Sequence, residues 1–567
     1  RIFNTVMDGH LYDLNIANQT VVVRNSFWTT QLFTAPGGLA AGSFANQSGN
    51  PQLDATFRPI EPGSPLINTG TVLAGETPST DYDGGPRVFG IRPDIGAYES
   101  NVPGVTSLTV TSTADSGAGS LRSAVEAANN SAGDALIQFN IPGSCPKQIN
   151  LDTQLPTIAK SVRIEGYSQP GSEENSDSSA FNGDVCVFLS GGNSVVGGLN
   201  LVTDAVSDDL YVSGLGFYGF TAHAILIAGP GKAQVRGSLF GTGLPLTGGD
   251  FDDTAIRIVG APGTVIGGGS VADRNVIGKT AQVGVRISGA GARTVRNNLI
   301  GSNRSGGALA NGIGILVEDG DGDLISNNTI VYNDAQGILL AAGADAPRNT
   351  KILSNRIGAS ITNSALGGNG AHGVRVTGGN GHEIRDNLIS NNMSDGIAVL
   401  ENSRRVWISG NRFTGNLRLP VDLAPDGRNF NDVDFGQTGA NDRQNFPALF
   451  TSRGGPLNGT TNVQLASTTG TYVVQIYASE TCVPGGTFGF DDAVLIVGTS
   501  PEFTITCGST TANCVGSLTV PISSSAAYPL TGKFLSAVAW DEEKNTSEIS
   551  VCYAYQLTDE LFDDGFE

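Results

Sequence analysis

One short phrase recurs along residues 214–416 and limits what this chain can fold into. It is apolar: Ala224-Ile-Leu-Ile227, Ala255-Ile-Arg-Ile258, Gly284-Val-Arg-Ile287, Gly314-Ile-Leu-Val317, Gly337-Ile-Leu-Leu340, Gly373-Val-Arg-Val376 and Gly396-Ile-Ala-Val399. Successive starts lie 31, 29, 30, 23, 36 and 23 residues apart. A second phrase, centred on Asn, alternates with it: Arg274-Asn-Val-Ile-Gly278, Asn297-Asn-Leu-Ile-Gly301, Asn327-Asn-Thr-Ile330, Ser354-Asn-Arg-Ile-Gly358, Asp386-Asn-Leu-Ile-Ser390 and Gly410-Asn-Arg-Phe413. Repetition at this period marks a solenoid, in which each repeat buries its apolar face only against its neighbours.

The phrases are too short for helices and rich in Val and Ile, so each reads as a short strand bounded by Gly, Asn, Asp or Ser turns. A helical array needs two long runs at 3.6 spacing per repeat, and none is present. What remains is a parallel β-helix with two or three strands per coil, coils stacking at about 4.8 Å. Asn at a corner suits a ladder, because its side chain bonds neighbouring turns and tolerates left-handed backbone. A many-stranded β-sandwich is the competing reading, and the sixfold Asn phrase weighs against it.

The 78 Gly of 567 residues follow no three-residue period and fit turn-dense β structure. A formal net charge of −21 argues against nucleic acid or an anionic membrane as partner. No apolar run is long enough to span a bilayer. Six cysteines without CxxC pairs or zinc spacing read as a disulfide set from an oxidising compartment. Cys145 and Cys186 are expected as one bridge. In the tail, Cys507–Cys514 could close a hairpin and Cys482–Cys552 a long loop, although spacing leaves the connectivity open.

Residues 1–103 read as the end of one β-helix with its closing segment. Ser64-Pro-Leu-Ile-Asn-Thr-Gly70, Asp81-Tyr-Asp-Gly-Gly-Pro-Arg87 and Arg92-Pro-Asp-Ile-Gly-Ala-Tyr-Glu99 resemble the ending of bacterial choice-of-anchor β-helix proteins. That ending implies further coils, so sequence upstream of Arg1 is expected. Residues 104–190 begin a second module. Leu121, Ala124, Val125 and Ala128 fall on one face of a short helix, with Ser120 as candidate N-cap. Such a helix would cover the open strand edges of the first coil. Ser120-Leu-Arg-Ser-Ala-Val125, Ile137-Gln-Phe-Asn-Ile141 and Gly166-Tyr-Ser-Gln-Pro-Gly171 resemble the opening of secreted right-handed β-helix repeat proteins of bacteria, and the likeness continues through the Asn phrases to about Asp422.

The resemblance implies a right-handed parallel β-helix over residues 191–447, about ten coils long or roughly 50 Å. Asp434-Phe-Gly-Gln-Thr-Gly-Ala-Asn-Asp-Arg-Gln-Asn-Phe-Pro447 resembles the exit segment of those proteins. Residues 448–556 then carry longer alternating strands, the last expected at Glu548–Cys552, and read as an immunoglobulin-like β-sandwich. In the similar proteins such a module is an accessory. The tail, 557–567, ends in Leu561-Phe-Asp-Asp-Gly-Phe-Glu567, which resembles a short C-terminal signature of exported Gram-negative proteins. The expected class is all-β: a β-helix in two segments plus a sandwich, placed outside the cell or on the outer surface of a Gram-negative bacterium.

Chemistry is sparse in the sequence. Glu318-Asp-Gly-Asp-Gly-Asp323 puts Asp319, Asp321 and Asp323 in one turn, which could wrap Ca2+ or could be a solvated turn. Asp81, Asp83, Asp94 and Glu99 offer a second Ca2+ set or a structural cap, and Asp250, Asp252 and Asp253 form another acidic turn. No other cofactor is indicated. Arg257, Arg286 and Arg375 each take the third place of an apolar phrase and should point outward on one sheet. They form either a groove for an acidic glycan or a solubilising stripe. No zinc-protease, nucleophile-elbow or phosphate-loop motif occurs.

The sequence therefore favours a secreted structural or adhesive protein, a rigid rod able to self-associate or to meet a cell-surface glycan. The alternative is a polysaccharide lyase or glycoside hydrolase acting on an acidic glycan, or a glycan-binding module without turnover. The enzyme requires a groove where Arg or Lys faces two or more carboxylates.

Overall fold

The computed structural model describes residues 106–558, apart from 132, 207, 243–252, 342–345, 362–366, 433–438, 483–494 and 508–513. It also describes residues 66, 80–83 and 94–98 and the backbone of nine short strands between residues 2 and 48. The C-terminal signature lies outside the described residues.

The chain winds as a right-handed parallel β-helix. One sheet holds eleven parallel strands, from Thr106–Val110 to Trp407–Ser409, one per coil. Eleven coils at about 4.8 Å make a stack roughly 50 Å long. A second parallel sheet holds seventeen strands. From Leu239–Phe240 onward it divides into two columns, so each coil has three faces. Face 1 is the eleven-stranded sheet. Face 2 runs from Leu239–Phe240 to Arg412–Thr414, and face 3 from Thr254–Gly260 to Val421–Leu423.

The apolar phrases lie in face 3, in register from coil to coil. Ile256 pairs with Val285, Val285 with Ile315, Ile315 with Ile338, Ile338 with Val374 and Val374 with Ile397. All six side chains are fully buried. Face 1 contributes Val235, Ile266, Val295, Ile325, Ile352 and Ile384, and face 2 contributes Ile277, Ile300, Ile330, Ile357 and Ile389. Alternation within each strand sends its polar partners outward.

The Asn phrases form the corner between faces 1 and 2. Asn275, Asn298, Asn328, Asn355, Asn387 and Asn411 stack as a buried ladder, each amide donating to the next residue's Oδ1 at 2.9–3.1 Å. The left-handed residue is not the ladder Asn but the one before it: Asn297, Asn327, Ser354, Asp386 and Gly410 have φ between 54° and 72°. A second ladder, absent from the repeat phrases, runs from Thr280 through Asn311, Asn333, Asn369 and Asn392 to Asn416, with side-chain bonds of 2.8–3.0 Å. Both satisfy backbone groups that tight corners would otherwise bury unpaired.

Helix Leu121–Asn130 begins the stack. Ser120 caps it by accepting from Ser123 N–H, and Leu121, Ala124, Val125 and Ala128 are buried in the same core as the coils. The six cysteines form three disulfides: Cys145–Cys186, Cys482–Cys552 and Cys507–Cys514. Residues 166–185 form a strap over face 2. Phe181 and Val185 pack on Leu239, Val276 and Leu299, and Arg274 donates to the Asp177, Ser178 and Ala180 carbonyls.

Between residues 2 and 48 the short strands also pair in parallel, Ile2 opposite Val23, Val6 opposite Phe27 and Phe27 opposite Gln47. After the coils come two sheets, one built on Ala448–Gly454, Asn458–Ala466 and Val515–Ser523, the other on Gly470–Ser479, Leu495–Thr499 and Phe534–Asp541. They share a buried core that includes Leu465, Val474, Ile476, Val520 and Leu535. The segment expected as the last strand, Glu548–Cys552, is not a strand. Residues 546–550 are buried, and the short strands come later, at Tyr553–Ala554 and Gln556–Leu557.

That buried segment closes the solenoid. Tyr477, Val538, Trp540 and Ile549 join the core of the coils. Ile408 N–H donates to Thr546 Oγ1, Gly410 N–H to Gln475 Oε1 and Leu423 N–H to Glu548 Oε1. Side chains of the C-terminal part, Gln475 from a sheet and Thr546 and Glu548 from the buried segment, thus occupy the strand edge that the last coil would leave open.

Candidate functional site

Face 3 carries the outward row in which the arginines were expected. From coil to coil the row reads Leu226, Arg257, Arg286, Leu316, Leu339, Arg375, Ala398 and Asp422. Arg257 and Arg286 are neighbours, while Leu316 and Leu339 separate them from Arg375. The expected stripe is therefore a pair and a single residue on one face. Arg286 is held by Glu318 through bonds of 2.5 and 3.0 Å.

At the end of that row three carboxylates converge. Asp395, Asp422 and Asp426 each offer an oxygen within 4.8 Å of the others. Asp422 ends the outward row, while Asp395 precedes the strand Ile397–Val399, and both are buried. Asp395 Oδ1 accepts from Leu419 N–H at 2.9 Å, and its Oδ2 lies 3.1 Å from His372 Nδ1. Asp426 is exposed and held by Arg418 Nη1 at 2.8 and 2.9 Å. Asp422 Oδ1 accepts only Gly427 N–H, at 3.0 Å, among the hydrogen bonds of the described residues. Burial, then the negative charges of Asp395, Glu548 and Asp426, push the Asp422 carboxyl up to about 8. Such a set can share a proton at neutral pH or hold a hard cation such as Ca2+ through oxygen ligands.

The three aspartates of the turn read from the sequence as a Ca2+ site are not brought together among the described residues. Asp319 Oδ1 takes the Gly289 N–H, Asp321 Oδ1 takes Asn349 Nδ2 and Asp323 pairs with Arg293, both side chains fully buried with the nearest N and O 2.9 Å apart. The three side chains serve three different partners because neighbouring coils, not the turn itself, supply their donors. Asp81 and Asp83 also join no convergent set among the described residues. Asp83 N–H donates to Asp81 Oδ1 at 3.1 Å, closing a local turn. Of the Asp250, Asp252 and Asp253 turn, the first two lie outside the described residues.

A second charged group on face 1 is internally satisfied. Arg236 is buried among Glu174 at 2.7 Å, Asp273 at 3.3 Å and the Tyr211 hydroxyl. His382 is buried and neutral, pushed down to about 4 by burial. His223 bonds Asn200 at 2.9 Å. These side chains fasten coils together.

The sequence reading did not single out Asp395, Asp422 and Asp426. The available signal was that Asp395 and Asp422 lie 27 residues apart, about one coil, with Asp426 in the loop that follows.

A family model described as a right-handed β-helix region matches residues 207–413 and, overlapping, 352–434. No curated protein matches the chain. Among solved structures, the chain is similar to a double mutant of the periplasmic alginate epimerase AlgG, at 12% identity and a TM-score of 0.26. The match covers 51% of this chain and 64% of that one, so the chain spans less than two thirds of it. It is also similar to the enzymatically active domain of Bacteriophage CBA120 tailspike protein 2, at 10% identity and a TM-score of 0.29, covering 76% and 73% of the two chains. Tailspike protein 3 of the same phage matches at 11% identity and a TM-score of 0.23, over 53% and 45%.

Proposed function

We propose that this protein is an exported glycan-cleaving enzyme, a glycoside hydrolase built on a β-helix, with Asp422 as general acid and Asp426 as its carboxylate partner. The observation that carries the reading is the convergence of Asp395, Asp422 and Asp426 within 4.8 Å at the end of the outward row of face 3. Two carboxyl groups about 5 Å apart, one protonated and one ionised, are the working pair of a retaining hydrolase. Asp422 supplies the protonated member, because burial and its acidic neighbours hold its proton to about pH 8. Asp426 is the solvent-facing member, and its exposed ion pair with Arg418 opens at little cost.

The chemistry balances on these two groups. The Asp422 proton moves to the glycosidic oxygen as the bond from that oxygen to the anomeric carbon breaks. The Asp426 carboxylate bonds to that carbon. Asp422, now ionised, takes a proton from water while the hydroxide displaces Asp426, which restores both groups. Asp395, tied to Leu419 N–H and beside His372, acts by keeping Asp422 protonated. Arg375, Arg286 and Arg257 lie on the same face, which suits a glycan bearing carboxylates or sulfates. Three disulfides support export.

The second reading, a rod that binds glycan without turnover, draws on the two unbroken Asn ladders, which suit a rigid scaffold. A panel of acidic polysaccharides separates the readings. Release of reducing ends without absorbance near 235 nm supports the hydrolase. Unsaturated products point to a lyase, and binding without product to the rod.

A further inference from the structure

The site described above lies on a segment that the C-terminal sheets hold in place. Asp422 stands in the last strand of face 3, Val421–Leu423, and residues 424–430 leave the coil from there and carry Asp426. One side chain from the C-terminal part grips this segment at two points. Glu548 Oε1 accepts Leu423 N–H at 3.1 Å and Asn429 Nδ2 at 2.8 Å, and its Oε2 accepts Asn429 N–H at 2.9 Å. Asn429 Nδ2 also reaches back to the Leu423 carbonyl. Next to the clamp, Arg428 Nη1 donates to the Ile549 carbonyl at 2.8 Å. Glu548 is 2% exposed, so these bonds form away from competing water.

We infer that Glu548 is a positioning residue for the carboxylate site, and that the C-terminal sheets complete that site instead of serving as an appended module. The inference rests on the hydrolase reading for its consequence, but its geometry is independent of any substrate. Glu548 fixes the residues flanking Asp422 and Asp426, and with them the spacing of the pair. It also adds negative charge beside Asp422. The charged groups around Asp422 are Asp395, Glu548 and Asp426, with Arg418 on Asp426 and His372 on Asp395. Arg428 faces Glu548 itself.

The test uses the full chain and two variants. In Glu548→Gln, Leu423 and Asn429 each compete for fewer acceptor lone pairs, so exchange of their amide hydrogens should quicken by about tenfold or more, the equivalent of one lost buried bond. A merely structural role would quicken exchange throughout the last coil, whereas the clamp confines the change to positions 423 and 429. Should Glu548→Gln fail to fold, Asn429→Ala keeps Glu548 and its bond to Leu423 N–H but removes the Nδ2 bonds to Glu548 Oε1 and to the Leu423 carbonyl, and exchange at position 429 should quicken. Unmoved exchange at positions 423 and 429 in folded Glu548→Gln, or unmoved exchange at position 429 in Asn429→Ala, overturns the inference. Neither readout needs a glycan. A chain that cleaves nothing yet shows these shifts keeps the clamp and loses the hydrolase.

Discussion

Asn328 and Asn355, one coil apart, share a single oxygen: both the backbone N–H and the side-chain amide of Asn328 donate to Asn355 Oδ1, at 3.0 and 3.1 Å. Asn355 Nδ2 in turn donates to the Ile325 carbonyl and to Asn387 Oδ1. Counting a further bond from Nδ2 to the Leu353 carbonyl, one side chain closes five bonds in a buried corner, and the ladder repeats its coil-to-coil bonds along the stack.

Asn355→Ala should be among the most destabilising single changes in the solenoid. It orphans two donors and a carbonyl, each worth about 1–3 kcal/mol when buried. A loss of about 3 kcal/mol or more in denaturant melts is expected, with no change in the C-terminal sheets.

Asp323→Asn tests the buried pair with Arg293. Breaking one partner of a fully buried ion pair leaves an uncompensated charge and costs about 3–5 kcal/mol. Calcium should not alter the melting of the wild type through this turn, because the Asp323 oxygens are engaged by Arg293.

Cys145–Cys186 fastens the base of the strap over residues 166–185, its Cα atoms 5.1 Å apart. Replacing both cysteines with Ser should cost about 2–4 kcal/mol. Proteolytic cutting should appear first within the strap, because Phe181 and Val185 then hold it to face 2 without that staple.

The pH dependence follows from three carboxyls raised first by burial, Asp422 at about 8, Glu548 at about 7 and Asp323 at about 6. A folded-state value above the unfolded one means the native chain binds more protons, so stability falls as pH rises through the window between them. The wild type should therefore lose stability between about pH 4 and 8 on account of these groups. His382 works the other way below about 6.5, because its folded value is pushed down to about 4. Asp422→Asn keeps the shape of the protonated acid without its titration. Thermal melts across this range should show a flatter curve for that variant, crossing above the wild type on the alkaline side.

Much of the architecture was legible because the repeat phrases are the architecture. Ile256, Val285 and Ile315 follow one another in sequence phase and in register alike. Helix 121–130 was legible from four apolar residues on one face. The second Asn ladder went unread, although Asn333, Asn369 and Asn392 each stand four residues before the Gly that opens an apolar phrase. The carboxylate set was hidden for a physical reason: Asp395, Asp422 and Asp426 meet only after two coils and a loop have folded. The role of Glu548 depends on a contact between residues 119 and 125 positions apart. No local pattern encodes such a pairing.

The central claim is that Asp422 delivers the proton that breaks a glycosidic bond. Side-by-side release of reducing ends from an acidic polysaccharide by the wild type and by Asp422→Asn tests it most directly, with matched melting curves confirming that both are folded. Loss of a general acid should slow the reaction by about 10²–10⁴-fold. Equal rates in the two proteins, or no release from any acidic glycan by the wild type, would contradict it.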